Sequence, residues 1–364
     1  MIPYFFIFFL LLLPLKKQHI NNWCFLLLLI FTIIRWDVGY DYRIYYSLAN
    51  SFELKKLPLF INNEEIIKYL TSKLSFVYLK TEITLRVICQ IIWQLNLQPE
   101  FIFLFYGIVI LTFLKKGLEN LNIYNKFVWL WFYSFPYFYF FSLSLLRQWA
   151  AISIVFYSYK YIKEKKFLKY LCFIVIAALF HKTALLMILL YILKIMNINK
   201  KIHIFLFCLS FFFDKIFSFI VLNVNLPLVS NYKIYVLKKV GLGGGKLYYI
   251  ILSIYVILLF RILLFKIKNI ELKRIYDVTM LGCFIYISLI KLGHLGIRIS
   301  IYFFVFSLVL INEYTKTKIS KVIVFILSLL FLSNLLILDN LRQDVRSEYV
   351  PYQVIFNKKF IKGD

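Results

Sequence analysis

The sequence predicts an all-α, polytopic membrane protein with about 12 transmembrane helices. Apolar residues make up 62% of the 364 residues, above the roughly half that is usual in soluble proteins. Mean hydropathy is +0.82, and apolar runs recur along the whole chain with short basic connectors between them. The runs do not alternate apolar and polar residues as barrel strands do, so helices are the spanning structure that a bilayer allows.

Each candidate span is an apolar run bounded by charged or strongly polar residues. A spanning helix needs about 20 residues, whereas many of these runs are nearer to ~15 before a charge intervenes. Interfacial Lys, Tyr and Trp side chains extend such runs to the head groups. The candidate spans are 2–15, 20–34, 99–114, 127–142, 148–162, 168–181, 183–195, 202–220, 247–265, 275–291, 299–311 and 322–338.

The basic connectors orient the protein, because positive charge in short loops favours the cytoplasmic side. The connectors assigned to that side are 16–17, 115–126, 163–169, 194–201, 266–274 and 316–321. The parts on the outer side are then the N-terminus, a long segment 35–98, a loop 221–246 and a tail 339–364. We expect a single integral membrane domain, 1–364. Its net charge of +26 fixes topology and meets anionic lipid, so no nucleic-acid partner is expected.

Segment 82–98 is amphipathic, because Glu82, Arg86 and Gln90 follow one another at helical four-residue spacing. Counting this segment as a span would invert every later helix and place the basic connectors outside. We therefore interpret it as a re-entrant or interfacial amphipathic helix on the outer side. The outer loop before it is expected to hold short helices, for example 63–74.

The five cysteines lie in or beside apolar runs, and none belongs to a CxxC or Cys/His pattern. We interpret them as small core residues and not as metal ligands. The glycine-rich stretch 241–246 ends in Lys without a following Ser or Thr, which favours a flexible loop over a phosphate loop. Residues 1–15 lack a basic start and a small-residue cleavage site, so they indicate a first helix and not a signal peptide.

Arg147 and Gln148 lie where one apolar run gives way to the next. A charge at the membrane is costly unless an anion or a water-filled cavity accompanies it, which makes such residues candidates for function. The Arg fork suits phosphate, and the helix that begins here adds N–H groups and a favourable dipole. An interfacial anchor is the ordinary alternative. It is less favoured because Arg147 is the only basic residue of a short outer loop.

The stretch 35–45, Arg-Trp-Asp-Val-Gly-Tyr-Asp-Tyr-Arg-Ile-Tyr, leaves the second candidate span. Gly39 allows a tight turn there. Asp41 is a candidate base, or it holds Arg35 or Arg43 in place. The alternative is an interfacial loop with aromatic anchors and an Asp helix cap.

Two further motifs precede helices on the outer side. His181 occupies the short connector 180–184, where imidazole suits general acid–base work or a hydrogen bond to phosphate. Arg298 and Tyr302 share a helix face just after His294, which fits a second anion clamp. A turn histidine and an interface anchor are the respective alternatives. In the predicted orientation, six candidate residues lie on the outer side, namely Arg35, Asp41, Arg147, His181, His294 and Arg298.

Taken in order, these motifs resemble the EpsG-like family of Wzy-type bacterial polysaccharide polymerases. The matching patterns are Arg-x3-Gly-x-Asp-Tyr-x2-Tyr at 35–45, Leu-Arg-Gln-x2-Ala at 146–151, Phe-His-x-Thr-Ala at 180–184 and Arg-x3-Tyr-Phe at 298–303. Glu82, ahead of its amphipathic segment, also fits. Each motif is short, and in order they span most of the chain.

The resemblance implies a membrane glycosyltransferase. Such enzymes join undecaprenyl-diphosphate-linked oligosaccharide repeat units on the periplasmic face of the bacterial inner membrane, for O-antigen, capsule or exopolysaccharide. The growing chain moves to the non-reducing sugar of the next unit, and the lipid diphosphate leaves. The implied partners are the lipid-linked oligosaccharide, the bilayer and, as a candidate, a chain-length regulator.

This reaction assigns candidate roles to the motif residues. The candidates for the base that takes the acceptor proton are Asp41, His181 and, less favoured, Glu82. The candidates for binding the diphosphate are Arg147, Gln148, Arg298 and Arg35. The candidates for binding the sugar substrate are Tyr42, Tyr45, His294 and Tyr302. Because fixed arginine charges supply the positive field, we expect neither a metal nor a cofactor.

A flippase for lipid-linked oligosaccharides is the main alternative. Such transporters need polar residues towards both sides and usually show internal repeats, whereas in this chain the polar residues gather on one side and no repeat is found. A polysaccharide ligase differs only in its acceptor and stays open. An acyltransferase would need a catalytic His towards a cytoplasmic donor, which the predicted orientation disfavours.

Overall fold

A computed structural model of the chain describes residues 1–57, 73–195, 198–223, 247–292, 294–341 and 347–356. Helix of both kinds makes up 79% of the described residues, which include 18 α-helices, and this confirms the all-α prediction. Most of the predicted helix 63–74 and the whole glycine-rich stretch 241–246 lie outside the described residues.

Helices follow one another along the described chain, with short 3-10 turns and two short strands between them. The α-helices are α1 (Ile2–Leu10), α2 (Lys17–Ile33), α3 (Tyr42–Asn50), α4 (Lys73–Lys80), α5 (Ile83–Gln94), α6 (Phe101–Asn120), α7 (Lys126–Ser134), α8 (Tyr139–Ser144), α9 (Leu146–Lys163), α10 (Phe167–Phe180), α11 (Ile188–Ile195), α12 (Lys200–Ser210), α13 (Phe213–Asn223), α14 (Leu247–Leu264), α15 (Ile270–Leu289), α16 (His294–Phe304), α17 (Ser307–Tyr314) and α18 (Lys318–Asn340). The 3-10 helices are Phe52–Lys56, Lys182–Met187 and Ile290–Leu292, and the strands are β1 (Arg35–Trp36) and β2 (Gln353–Val354).

Every predicted span contains helix, but fewer helices than predicted have the length of a span. Within the described residues, the helices long and apolar enough to cross a membrane are four, namely α6, α14, α15 with the turn after it, and α18. Two bent pairs, α12–α13 at 70° and α16–α17 at 47°, raise the number to six if each pair is one span. The chain is therefore a multi-pass membrane protein, and the predicted number of about 12 spans is not confirmed.

Two predicted segments have identifiable physical reasons for their shape. The predicted span 127–142 is broken into α7 and α8 because Pro136 cannot donate a helical hydrogen bond, and Phe135 before it is extended (ψ 124°). The predicted amphipathic segment 82–98 forms α5, whose 12 residues are too few for a span. Its re-entrant or interfacial placement stays a prediction.

The described chain divides into two compact units, 1–186 with 311–364, and 187–310. In the first unit, α9 packs against α6 and α10, and α2 packs against α6. Buried residues occur all around α9, as expected for a helix at the centre of a bundle. In the second unit, α15 packs against α12, α14 and α16. The interpretation of 1–364 as one membrane domain stays a prediction.

The segment after α18 folds back within the first unit, where the carboxylate of Asp339 anchors it. Asp339 is 4% exposed and accepts the backbone N–H groups of Glu348 (2.7 Å), Tyr349 (2.7 Å) and Val350 (2.9 Å). The Glu348 carbonyl in turn accepts the Gly39 N–H at 2.7 Å, and β2 pairs antiparallel with β1. This segment therefore fixes the turn that carries the first sequence motif.

Asp339→Asn is expected to release this anchor. The amide keeps one acceptor oxygen but sets an NH2 donor against backbone N–H groups, so the free energy of unfolding should fall by about 2 kcal/mol or more. Thermal denaturation and limited proteolysis of the purified protein measure the effect. The matched control is Glu313→Gln, because Glu313 pairs with Lys316 at an exposed site and contributes under about 1 kcal/mol. Wild-type stability and proteolysis in Asp339→Asn would contradict the anchor.

Candidate functional site

Arg147 forms an ion pair with Glu82 in the first unit. Arg147 lies in the first turn of α9, and Glu82 immediately precedes α5, so two helix starts meet at this pair. The Arg147 and Glu82 side chains are 25% and 10% exposed. The pair is therefore weakly screened by solvent and still accessible from it. Glu82 is the anionic partner that an arginine in an apolar bundle requires.

Tyr45 is a second partner of Arg147. Its hydroxyl accepts a hydrogen bond from Arg147 Nε at 3.2 Å, which joins α3 to α9. Burial raises the pKa of the Tyr45 hydroxyl, and the nearby Arg147 charge opposes this shift without cancelling it. The phenol therefore stays protonated at neutral pH. It can donate one hydrogen bond while it accepts another from Arg147.

The connector of the third motif reaches the same carboxylate. The Thr84 hydroxyl donates to the Leu179 carbonyl at 2.9 Å and ties α5 to the end of α10. The chain then turns, and the Lys182 backbone N–H approaches Glu82 Oε1 at 3.5 Å. Glu82 thus faces a guanidinium on one oxygen and a backbone donor on the other.

His181 is the residue next to that backbone donor, and it has an extended conformation because α10 ends at Phe180. Its Nδ1 lies 2.6 Å from the Thr183 hydroxyl. If the hydroxyl donates to Nδ1, Nε2 carries the proton and can donate a hydrogen bond. If Nδ1 donates to the hydroxyl, Nε2 is a base. Depending on its tautomer, the imidazole can therefore either donate a hydrogen bond or accept a proton at Nε2.

Arg35 occupies a different environment from Arg147. It is fully buried, and its Nη1 donates to the carbonyls of Val38 (2.9 Å) and Leu143 (2.8 Å). Its guanidinium also lies over the rings of Phe103 (5.0 Å) and Tyr42 (5.6 Å). These contacts fasten the 35–45 turn to the residues before α9. The assignment of Arg35 to the diphosphate stays a prediction.

Asp37 is a charged residue of this turn that the sequence motifs alone do not single out. It is fully buried and forms a two-pronged ion pair with Arg43, with Nε–Oδ1 at 3.1 Å and Nη2–Oδ2 at 3.0 Å. Asp37 has a left-handed φ of 53°, which Asp tolerates better than most residues. The Asp-x-Gly pattern that ends at Gly39 is the sequence signal for this turn.

The remaining first-unit candidates are placed around the same turn and helix. Asp41 is the partly exposed residue just before α3. Tyr42 is fully buried and stacks on Phe103 with ring centroids 4.2 Å apart. Gln148 is 2% exposed in the first turn of α9. Their proposed roles as base, sugar ligand and diphosphate ligand stay predictions.

The fourth motif belongs to the second unit and lies on α16, which begins at His294. Arg298 is partly exposed, whereas Tyr302, one turn later, is 1% exposed. Gly296 permits a close approach to the preceding helix, since a Cβ there would lie 3.1 Å from the Leu289 carbonyl oxygen. The roles of these residues in binding the diphosphate and sugar also stay predictions.

For the polymerase reaction that the resemblance implies, Tyr45→Phe is expected to lower the rate about fivefold, because it removes one hydrogen bond that orients Arg147, worth about 1 kcal/mol. Tyr40→Phe is the matched control, since Tyr40 lies in the same motif with 64% of its surface exposed. The rate is measured with lipid-linked repeat units and the purified protein. Equal rates for the two variants would show that Tyr45 does not orient Arg147.

Three of the four sequence motifs thus meet around Arg147 and Glu82 in the first unit. No group of three or more potential metal ligands occurs among the described residues. A model of the EpsG family matches residues 20–354, a range that includes all four motifs. No curated protein and no solved structure shows significant similarity to the chain.

Proposed function

Because the chain belongs to the EpsG family, whose members are Wzy-type polysaccharide polymerases, we propose that it is a membrane glycosyltransferase. Its substrate is an oligosaccharide repeat unit on undecaprenyl diphosphate, and it works on the periplasmic face of the bacterial inner membrane. The product is a longer O-antigen, capsule or exopolysaccharide chain on one lipid carrier. A chain-length regulator is a candidate partner.

The observation that carries this proposal is the Arg147–Glu82 pair with Tyr45 and the His181 connector around it. A transferase with a diphosphate leaving group needs fixed positive charge beside the bond that breaks, and Arg147 offers it in a largely desolvated setting. It also needs a proton acceptor within reach of the incoming hydroxyl, and Glu82 and His181 are at hand.

The proposed step is a substitution at the anomeric carbon of the growing chain. The acceptor hydroxyl oxygen forms the new bond to that carbon and passes its proton to the base. The bond between the same carbon and the diphosphate oxygen breaks, and its electron pair leaves with undecaprenyl diphosphate. Arg147 stabilises the charge that develops on the diphosphate. Arg298 on α16 is proposed as a second cation, with Gln148 and Arg35 supporting, and Asp41 as an alternative base.

The polysaccharide of a deletion strain tests the proposal against its alternatives. Loss of a polymerase should leave single repeat units attached to the normal acceptor, because synthesis and transfer of one unit continue. Loss of a flippase would remove all outer-face material. Loss of a ligase would leave full-length polymer on the lipid carrier. The last two patterns would each overturn the proposal, and mass analysis of surface and lipid-linked glycans separates all three.

A further inference from the structure

The second unit contains a cavity of about 290 Å³ that the sequence motifs do not reach. It lies where α12 bends into α13, beside the first turn of α14 and the end of α15. Its walls include Phe211, Ile287 and Ile290, and its polar groups belong to Asp214, Lys291 and two tyrosines. Ligand pockets start at roughly this size, about 300 Å³.

Asp214 and Lys291 form the charged part of the cavity. Asp214 Oδ2 accepts Lys291 Nζ at 3.0 Å, and the two side chains are 15% and 56% exposed. Asp214 Oδ1, in contrast, is buried without a hydrogen-bond partner in the described part of the chain. A buried, unpartnered carboxylate oxygen is costly, so it points to a donor that arrives with a ligand.

Tyr248 and Tyr249 form the aromatic part of the cavity. Their ring centroids are 5.4 Å apart and the rings are nearly perpendicular, at 81°. Tyr248 is partly buried and Tyr249 is 67% exposed. Two perpendicular rings in the lining of a cavity offer both a face and an edge to a bound molecule, each with a hydroxyl at its tip.

The charged and aromatic groups of the cavity together favour one chemical class of ligand. The charged lining sums to zero, one carboxylate against one ammonium, so it does not favour an anion such as a lipid diphosphate. A carboxylate accepts hydroxyl hydrogens, an ammonium donates to ring and hydroxyl oxygens, and an aromatic ring packs against C–H groups. A sugar ring offers all three kinds of group at once.

We propose that this cavity binds a neutral sugar ring of the oligosaccharide, with Asp214 accepting from a sugar hydroxyl and Tyr248 or Tyr249 packing against the ring. The inference rests on the proposed function for the identity of the sugar. Phe213, next to Asp214, packs against the cluster of Leu289, Leu292 and Leu295. Leu295 belongs to α16, the helix that also carries Arg298. Phe213 therefore links the part of α13 that lines the cavity to α16.

Binding of the free repeat-unit oligosaccharide, released from the strain's own polysaccharide, tests the site. The full-length protein in lipid nanodiscs is titrated and followed by saturation-transfer NMR. Wild type should bind, and Asp214→Asn should weaken binding about tenfold or more, since a hydrogen bond to a charged group is lost. Phe219→Ala is the matched control on α13, because Phe219 is 69% exposed and away from the cavity lining. No binding by wild type would overturn the proposal.

The double variant Asp214→Asn with Lys291→Met separates a sugar site from a purely structural ion pair. It leaves neither charge unpaired, so it should fold even if a single variant does not. Sugar binding should stay lost in the double variant. Its recovery would assign the pair to structure alone and end the proposal.

Chain length in cells distinguishes this proposal from the proposed function. Asp214→Asn cells should make shorter polymer than wild type, because each repeat unit is held less firmly. If wild-type cells make polymer, and Asp214→Asn cells make polymer of unchanged length, the sugar site is wrong and the polymerase stands. If deletion of the whole gene leaves polymer unchanged, the proposed function itself is wrong.

Discussion

Arg147→Ala is expected to abolish polymer formation while the protein still inserts into the membrane. The guanidinium lies at the start of α9, where it meets Glu82 and Tyr45 and is only 25% exposed. Removing one such charge from a preorganised site costs about 10²- to 10³-fold in rate. A polymer needs many successive transfers, so a loss of that size should leave single repeat units. Glycan gels of cells that carry only the variant, beside membrane fractionation of the protein, measure both results.

Two further variants sharpen this expectation. Arg147→Lys keeps the positive charge but loses the planar fork, so it should retain a small part of the activity. Arg261→Gln is the matched control, because Arg261 lies over the ring of Phe265 at 4.8 Å in the other unit and takes no part in the proposed site. Normal polymer from Arg147→Ala cells would show that the site is assigned wrongly. Loss of polymer in Arg261→Gln would show that any arginine change impairs insertion.

The all-α membrane architecture follows from the sequence because apolar runs leave the bilayer few alternatives. The number of spans does not follow, since short apolar runs form both membrane-length helices and shorter packed ones. The break between α7 and α8 can be predicted because Pro136 lies there in the sequence. The 70° bend between α12 and α13 falls at Phe211 and Phe212, where the sequence has no Pro or Gly. Such a bend is set by tertiary packing, which a linear pattern does not contain.

The candidate site is predictable where chemistry is local and not where it depends on distant pairing. Arg147 stands out because a lone cation between apolar runs is unusual. Its partner Glu82 is 65 residues away, and that separation explains why the sequence alone favours Glu82 least among the bases. Asp37 does not stand out because Asp41, in the same motif, offers the same carboxylate, and only the fold shows which of them holds Arg43 in a two-pronged pair. The contact between Gly39 and the segment after α18 is likewise a distant pairing. It depends on the carboxylate of Asp339, which holds that segment in place.

Glu82→Gln is expected to lower the rate of polymer formation by about 10²-fold or more, the range for loss of a positioned base. The amide has nearly the same shape and still accepts a hydrogen bond from Arg147, but the Arg147 charge loses its anionic partner. The rate is therefore compared at equal amounts of folded protein. Asp41→Asn and His181→Gln are the corresponding neutral variants of the other two candidate bases, and their rates are measured in the same way. We expect Glu82→Gln to be the most severe of the three, because Glu82 is the candidate that directly contacts Arg147.

A double-variant cycle decides whether Glu82 works with Arg147 or merely neutralises it. If both act in one step, Arg147→Lys with Glu82→Gln should be little worse than the worse single variant, because residues that act as a unit are not additive. If Glu82 only balances the charge of Arg147, Glu82→Gln alone should leave the chemistry largely intact and lower stability instead. Rates with lipid-linked repeat units, measured beside thermal denaturation of each variant, separate the two cases. A Glu82→Gln protein that makes polymer at the wild-type rate would remove Glu82 from the mechanism and leave His181 and Asp41 as the candidate bases.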